Sequence, residues 1–577
     1  MTDPQHEIEN RFAVALASAF GYQGTRTDPL IRPSSFADFQ SNVALSLAKR
    51  LGSSPREVAT RLVEHLDSSD VFEQVTVSGP GFINVTLQSD WLARQATALL
   101  MDEDVGLTRA RQRQTAVVDY SAPNVAKEMH VGHLRTTIVG DALARVQECL
   151  GHVVLRQNHV GDWGTPFGML IEHLLDVGIE TAVDQLSVGE LNSFYQQART
   201  KFDNDPEFAE RARARVVLLQ RGDPQTLRWW RLLVDASMAY FKKVYDRLGV
   251  LLKDANIRGE SFYNPLLEQV AVELAAAGVA VESEGALVAF PPGFTGRAGQ
   301  PAALVIRKRD GGFGYAATDL AAVRHRTKDL HADRLIYVVG VSQAMHLAMV
   351  FAVARQMGWL NGARAEHAAI GSVLGPDGRL LRTRSGAPPR LVELLDEAVE
   401  RAGKLLSDRS DLTEHQRAAI ARAVGIGAVK YADLSVSRDR DYVFDWDRLL
   451  SLDGNTGPYL QYATTRIRSI FRRAGLSQEA ARVPPIRIGH DAERVLVLRL
   501  LSFGTVVHEV ADTLQPHRLT NYLYDLAVAF TGFYEDCPIL GAPNESIRRS
   551  RLALCVVTEQ VLTTGLTLLG IEVPDRM

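Results

Sequence analysis

Two histidines flank a Val-Gly pair in the run His130-Val-Gly-His133. Imidazoles at that spacing can donate to phosphate oxygens as charge develops in a phosphoryl or nucleotidyl transfer. Gly132 would let a ligand approach the backbone without a Cβ in the way. The string alone is a weak signal, because two polar histidines at a helix start would look the same. A zinc reading is poorer still: the HExxH pattern is absent and no cysteine is near. Its setting gives the run its interest. Thr115-Ala-Val-Val-Asp-Tyr120 reads as an apolar strand and Ser121–Met129 as a loop. From His130 a helical pattern continues to Leu150, with Ile138, Leu143, Val146 and Leu150 on one side. Gly151 is placed to end that helix, and Val153–Asn158 reads as the next strand. This is a βαβ unit of a parallel sheet. Ligands of such sheets sit at the carboxyl ends of strands, beside helix N-termini whose free N–H groups and dipole favour anions.

The rest of the chain divides around that unit. In residues 1–105, Asn42–Lys49 and Pro55–Leu66 carry apolar residues at helical spacing. Gln74–Val77 and Phe82–Leu87 alternate at strand period about the turn Ser78-Gly-Pro-Gly81, which predicts a small α+β domain. Thr108-Arg-Ala-Arg-Gln-Arg113 is a basic linker, either a solvated helix end or an RNA contact. Residues 175–250 read as a helical insertion. Strand and helix patterns then resume through Leu304–Arg307, Leu335–Val341 followed by a helix from Ala344, and Ile370–Leu374. From Leu412 nearly everything reads as helix. No lysine follows Lys430, and residues 455–577 hold thirteen arginines against twelve acids. Arginine suits phosphate and base-edge recognition, although a charged helical surface would give the same composition.

Composition sets limits. A chain of 577 residues, 46% hydrophobic and 23% charged, is ordinary globular protein, which excludes disordered, collagen-like and coiled-coil classes. The formal charge is −4, so any nucleic-acid contact must come from local basic surface. Cys149, Cys537 and Cys555 lie far apart and in no CxxC, which fits a reducing cytosol and excludes a disulfide framework. The polar N-terminus has no signal-peptide core. The uncharged stretch Leu335–Ala354 is broken by Ser342, Gln343 and His346, so it reads as a buried strand and helix, not a membrane span.

Ser121-Ala-Pro-Asn-Val-Ala-Lys-Glu-Met-His-Val-Gly-His-Leu-Arg135 and Asn158-His-Val-Gly-Asp-Trp-Gly164 closely resemble the arginyl-tRNA synthetase family of class I aminoacyl-tRNA synthetases, with HVGH matching the family's HIGH signature. The resemblance continues through Gly79–Asn84, Gly259-Glu-Ser-Phe-Tyr263, Tyr315-Ala-Ala-Thr-Asp319, Gly425–Leu434 and Asn455–Tyr462 to Pro574–Met577, so it spans essentially the whole chain in order. It implies an α/β multidomain fold: a small N-terminal α+β domain that touches tRNA (1–105), a Rossmann-type parallel-sheet catalytic domain with a helical insertion (114–445), and an all-α anticodon-binding bundle (446–577). It implies ATP-dependent activation of L-arginine to arginyl-adenylate with Mg²⁺, then transfer to the 2′-hydroxyl of the terminal adenosine of tRNA(Arg). The family generally requires bound tRNA before it activates arginine.

By resemblance, His130 and Gly132 face ATP, and His133 lies by the arginine carboxylate and the α-phosphate. Asn124 and Gln343 hold the amino-acid end, and His346 belongs with the nucleotide-binding set. A guanidinium presents five donors in one plane, so its pocket must place acceptors there; Asp319 and Glu260 are the family-matching carboxylates, and Tyr315 can stack or accept. The alternative for Asp319 is a helix N-cap, since Thr318-Asp319 precedes an apolar run. The KMSKS loop of class I enzymes is degenerate here: in 375–388 the stretch is Gly378-Arg-Leu-Leu-Arg-Thr-Arg-Ser-Gly386. Arg382 or Arg384 could supply charge, but in the family the lysine upstream of HIGH, here Lys127, is thought to compensate.

Tyr459, Gln461, Tyr462 and Arg466 are the residues expected to stack on and bond to tRNA bases, with Phe39 and Gln40 as weaker N-terminal candidates; Tyr459 and Tyr462 could equally be core. No zinc, no membrane contact, a cytoplasmic location and a monomer are expected. The competing readings are a cysteine or glutamate synthetase, a catalytically dead RNA-binding paralogue, and a nucleotidyltransferase that does not use tRNA. The cysteine enzyme would need zinc thiolates this chain lacks, the second is opposed by intact HVGH and Asp319, and the third leaves both terminal regions without a role.

Overall fold

The computed structural model describes residues 3–21, 27–178, 191–296, 299–382, 388–406 and 412–577. In the N-terminal region a four-stranded antiparallel sheet runs in the order Ile31–Pro33, Phe39–Ser41, Phe82–Leu87, Phe72–Ser78. Period-two alternation along Phe82–Leu87 buries Ile83, Val85 and Leu87. The helix Pro55–Glu64 starts at a Ser54/Glu57 capping box with Pro55 in its first turn. The first helix, Pro4–Phe20, and the strands before Ser41 are additions to the expected elements.

The central sheet is parallel, in the order Arg364–His367, Arg334–Tyr337, Thr115–Asp119, Val153–Gln157. From Thr115–Asp119 the chain crosses through the helix Val131–Cys149 to one side. From Arg334–Tyr337 it crosses through Ala344–Gln356 to the other. The two crossovers diverge between the central strands, which opens a crevice at their carboxyl ends. Gly140 lets the long helix lie on the sheet, because a Cβ there would fall 2.2 Å from Cβ of Tyr120.

Three expectations change. Leu304–Arg307 is a strand, but of a separate antiparallel sheet with Ala280–Ser283 and Ala286–Ala289. The strand begun at Leu335 stops at Tyr337, and Val341 opens a 3₁₀ turn and is half exposed. Of Ile370–Leu374 only Val373–Leu374 is extended, paired with Tyr442–Val443, whereas Arg364–His367 completes the main sheet.

Among the described residues the insertion includes the helices Leu191–Asn204, Pro206–Gln220 and Pro224–Leu248; the last two start at aspartate caps followed by proline. The helical C-terminal region includes Gly457–Ala474, Asp491–Leu501, Phe503–Thr513, His517–Asp536 and Glu545–Leu568. One continuous core joins Ile8 of the first helix, Ile138 of the central helix and Leu566 near the end. Polar ties reinforce it. Arg494 grips Asp38 with Nε and Nη2, at 3.2 and 2.5 Å. Gln147 and Arg334 both donate to the Ala511 carbonyl, and Arg438 donates to that of Leu514. The last residues are held as well. Lys430 Nζ, buried, donates to the carbonyls of Gly570 and Leu248, and Gln461 and Arg468 donate to those of Glu572 and Pro574. Burial pulls the Lys430 ammonium down to about 8. Among the described residues, no helix is long and apolar enough to cross a membrane.

The central helix is fixed from behind by a fully buried ion pair. Arg135 Nε meets Asp433 Oδ1 at 2.8 Å, and Arg135 Nη1 donates to the Arg440 carbonyl. Asp433→Ala strands a buried guanidinium and should cost about 3–5 kcal/mol. A clearly lowered thermal midpoint is the expected result; an unchanged one would show that the pair does not hold the helix.

Candidate active site

The start of the helix Val131–Cys149 is capped by two imidazoles. His130 Nδ1 accepts from Gly132 N at 3.0 Å, and His133 Nδ1 accepts from His130 N at 3.2 Å. Both Nδ1 atoms are therefore acceptors, and each Nε2 carries the proton and is free to donate. The rings lie 4.1 Å apart. Burial and the neighbouring Lys127 charge lower His130. Burial and the His130 charge bring His133 down to about 3. Both are neutral donors at pH 7. Gly132 has a requirement that the sequence did not display: a Cβ there would sit 2.8 Å from the His130 ring, so the cap itself needs glycine.

The preceding loop is strained. Ser121, Ala122 and Ala126 have φ of 74°, 47° and 59°, in the left-handed region that L side chains avoid. The surroundings hold it there. Tyr245 of the insertion bonds Ser121 Oγ at 2.8 Å and Asn158 Nδ2 at 3.0 Å; Asn158 Oδ1 accepts from Ala122 N, and Ser237 Oγ from Ala126 N. Asn124 is exposed and its carboxamide lies over Gly161, where a Cβ would displace it. Lys127 points its ammonium at the Tyr195 ring, 4.4 Å from the centroid.

A carboxylate cluster forms the other half of the crevice. Asp319 Oδ2 accepts from His346 Nε2 at 2.5 Å, which raises the imidazole above its ordinary value. Glu260 is pushed up to about 8, first by burial and then by the charges of Asp162 and Asp319. Asp162 is buried, accepts from Ser261 N and Oγ, and is also raised by burial. Tyr315 stands 74% exposed at the mouth; burial of part of its ring and the nearby Glu260 raise its hydroxyl. The helix of Asp319 starts at Tyr315 with Gly314 as its cap, so Asp319 is not the N-cap. It lies one turn from Tyr315, on the same face. Gln343 is exposed at the edge of this group, just before the helix that carries His346.

The expected residues therefore fall into two neighbouring sets: Lys127, His130 and His133, and Glu260, Tyr315, Asp319 and His346. His346, expected with the nucleotide set, is bonded to Asp319 instead. Arg382 is exposed, and Arg384 lies outside the described residues. Among the tRNA candidates two are corrected. Gln461 is fully buried and its Nε2 is spent on the Ala423 and Glu572 carbonyls. Phe39 is 8% exposed and packs in the N-terminal core. Gln40 donates to Asn84, and Tyr459 packs on Tyr524. Tyr462 is 41% exposed, and Arg466 lies over Tyr534. Sequence reading passed over Asp162, although it lies within a quoted motif, and over Tyr195 and the exposed Phe36, which have no local signal. Among the described residues no cluster of three or more histidines, cysteines or carboxylates is arranged to hold a metal.

Comparison with known proteins agrees with this geometry. The family model for the catalytic domain of class I (R) tRNA synthetases matches residues 95–446, and the DALR anticodon binding domain matches 460–577. The fold and crevice are those of a class I tRNA synthetase. The arginyl tRNA synthetase N terminal domain matches residues 6–87. The arginine–tRNA ligase of Thermobifida fusca is 59% identical over 578 residues, covering 100% of both chains, and that of Frankia casuarinae is 52% identical, covering 98% of each. Among solved structures, the arginyl-tRNA synthetase of Plasmodium falciparum superposes with a TM-score of 0.85 at 28% identity, covering 100% of both chains. That of Thermus thermophilus superposes with 0.81 at 26%, covering 99% of this chain and 100% of that one. The chain belongs to the arginyl-tRNA synthetase family.

A proton on Glu260 lowers the charge of the carboxylate cluster. Because Glu260 is raised, its proton is held in the folded chain to about pH 8. The stability this gives is complete below the ordinary carboxylate range and is lost as pH climbs towards 8. A guanidinium placed against Glu260 would require its ionised form. L-Arginine binding at pH 7 should therefore release protons, detectable by titration calorimetry in buffers of differing ionisation enthalpy. Arginine affinity should rise from pH 6 to 8, and Glu260→Gln should flatten that rise. Proton uptake, or a slope unchanged by the substitution, would remove Glu260 from the pocket.

Proposed function

We infer that this chain activates L-arginine with ATP and transfers it to tRNA. The supporting observation is the juxtaposition of a neutral, donor-rich helix start with an acidic cluster suited to a guanidinium. The arginine carboxylate, already ionised, attacks the α-phosphorus of ATP; the bond to pyrophosphate breaks and arginyl-adenylate forms. The terminal adenosine 2′-hydroxyl of tRNA(Arg) then attacks the activated carbonyl, and AMP leaves. Neither step needs a strong acid or base. The barrier is charge on the transferring phosphate, so fixed donors at His130 and His133, the helix terminus and the Lys127 ammonium lower it by position and electrostatics. Mg²⁺ would enter with the nucleotide phosphates, as it does at sites with few protein ligands. Asn124 and Gln343 are suited to the amino-acid end, and Arg382 or Arg384 to the pyrophosphate.

Selectivity follows from the acceptors. Lysine would leave planar acceptors desolvated and unpaired, and citrulline would leave the carboxylates without a cation. The helical C-terminal region, with Tyr462 and Arg466 at its surface, is suited to the anticodon. Phe36, 84% exposed beside the N-terminal sheet, is suited to stacking on an unpaired base.

Charging of bulk tRNA with each of the twenty amino acids should succeed with arginine alone; another product would overturn the reading. Asp319→Ala should raise the arginine KM by about two orders of magnitude or more and the ATP KM far less. A selective ATP defect would reassign the residue. Phe36→Ala and Tyr462→Ala should each raise the KM for tRNA; unchanged tRNA kinetics in both would move the RNA path elsewhere.

A further inference from the structure

The insertion helix Leu191–Asn204 meets the loop before His130 at two consecutive residues. Asn192 brackets Glu128: its Oδ1 accepts from Glu128 N at 3.1 Å and its Nδ2 donates to Glu128 Oε2 at 2.9 Å. The same Oε2 takes Arg390 Nε at 2.8 Å. The nearest carboxylate in sequence is thus committed to an arginine. Lys127 makes no ion pair with any described residue, and its Nζ lies 4.4 Å from the centroid of the Tyr195 ring.

That choice of partner matters chemically. A carboxylate would neutralise the ammonium and compete with any phosphate that approached it. An aromatic face attracts the cation through its quadrupole and leaves the charge intact. Lys127 is also close enough to His130 and His133 for its charge to depress both imidazoles. The result is a full positive charge beside a helix start and two outward Nε2–H donors, a combination built for an anion. The Tyr195 hydroxyl, for its part, is near enough to Tyr315 to raise that residue, so Tyr195 stands between the phosphate end and the mouth of the acidic pocket.

We propose that Tyr195 is a positioning residue for the activation step: its ring, supplied by the helical insertion, holds the Lys127 ammonium un-neutralised beside the His130–His133 helix start, ready for the phosphate oxygens of ATP. The inference rests on the function inferred above and adds to it a residue outside every motif of the chain.

The test is ATP–pyrophosphate exchange by the full chain, with arginine and tRNA present. Tyr195→Phe keeps the aromatic face and should keep the wild-type rate. Tyr195→Leu removes it and should lower kcat/KM for ATP roughly three- to thirty-fold, leaving the arginine KM unchanged. In a Lys127→Ala background the leucine substitution should add nothing. Equal losses in Tyr195→Phe and Tyr195→Leu would assign the effect to the hydroxyl and overturn the proposal. So would full additivity with Lys127→Ala, or a defect confined to the arginine KM. If Tyr195→Leu melts early, Tyr195→Met carries the same expectation. A wild-type chain with no arginine-dependent exchange would overturn the function itself; normal wild-type exchange with a silent Tyr195→Leu overturns only this inference.

Discussion

The first turn of a helix must find partners for N–H groups that have none within it. Here two imidazoles take that task at the head of Val131–Cys149, where serine or aspartate usually serves. Because each ring accepts through Nδ1, the proton is confined to Nε2, and the groups that finish the helix also present its outward donors. The rest of the architecture serves this turn. Gly132 leaves room for the folded-back ring, Gly140 brings the helix onto the sheet, Arg135 ties it to Asp433, and the insertion holds the strained residues that lead into it.

A second constraint is charge. Asp162 and Asp319 lie close enough to Glu260 for their charges to raise it, and three ionised carboxylates crowded together would repel. A proton on Glu260 and the His346 imidazole on Asp319 relieve that repulsion. A proton or a single imidazole meets one carboxylate at a time, whereas a planar guanidinium offers donors to several acceptors at once.

Much of this was legible in the sequence, and what was not has physical reasons. The central strand and helix were clear because an apolar run ends at a loop and a 3.6-residue pattern begins at His130. The sheet membership of Leu304–Arg307 was not, since three apolar residues before an arginine pair equally well in either direction. Arg364–His367 was missed because a polar edge strand, stitched by Arg334 to Glu366, carries no apolar signal. Gln461 looked available for RNA because an amide in an amphipathic helix does not announce its face; only the fold shows the Ala423 and Glu572 carbonyls that claim it. The Asp319–His346 contact and the approach of Tyr195 to Lys127 join residues far apart in the chain, and spacing is silent about such meetings.

The clamped tail has a consequence for biosynthesis. Lys430 links Gly570 to the end of the insertion at Leu248, while Gln461 and Arg468 secure Glu572 and Pro574. A nascent chain on the ribosome cannot form these bonds until those residues have left the exit tunnel. The catalytic half, although translated earlier, completes its packing at Leu248 only once residues 570–574 have emerged, so its maturation during synthesis does not proceed domain by domain.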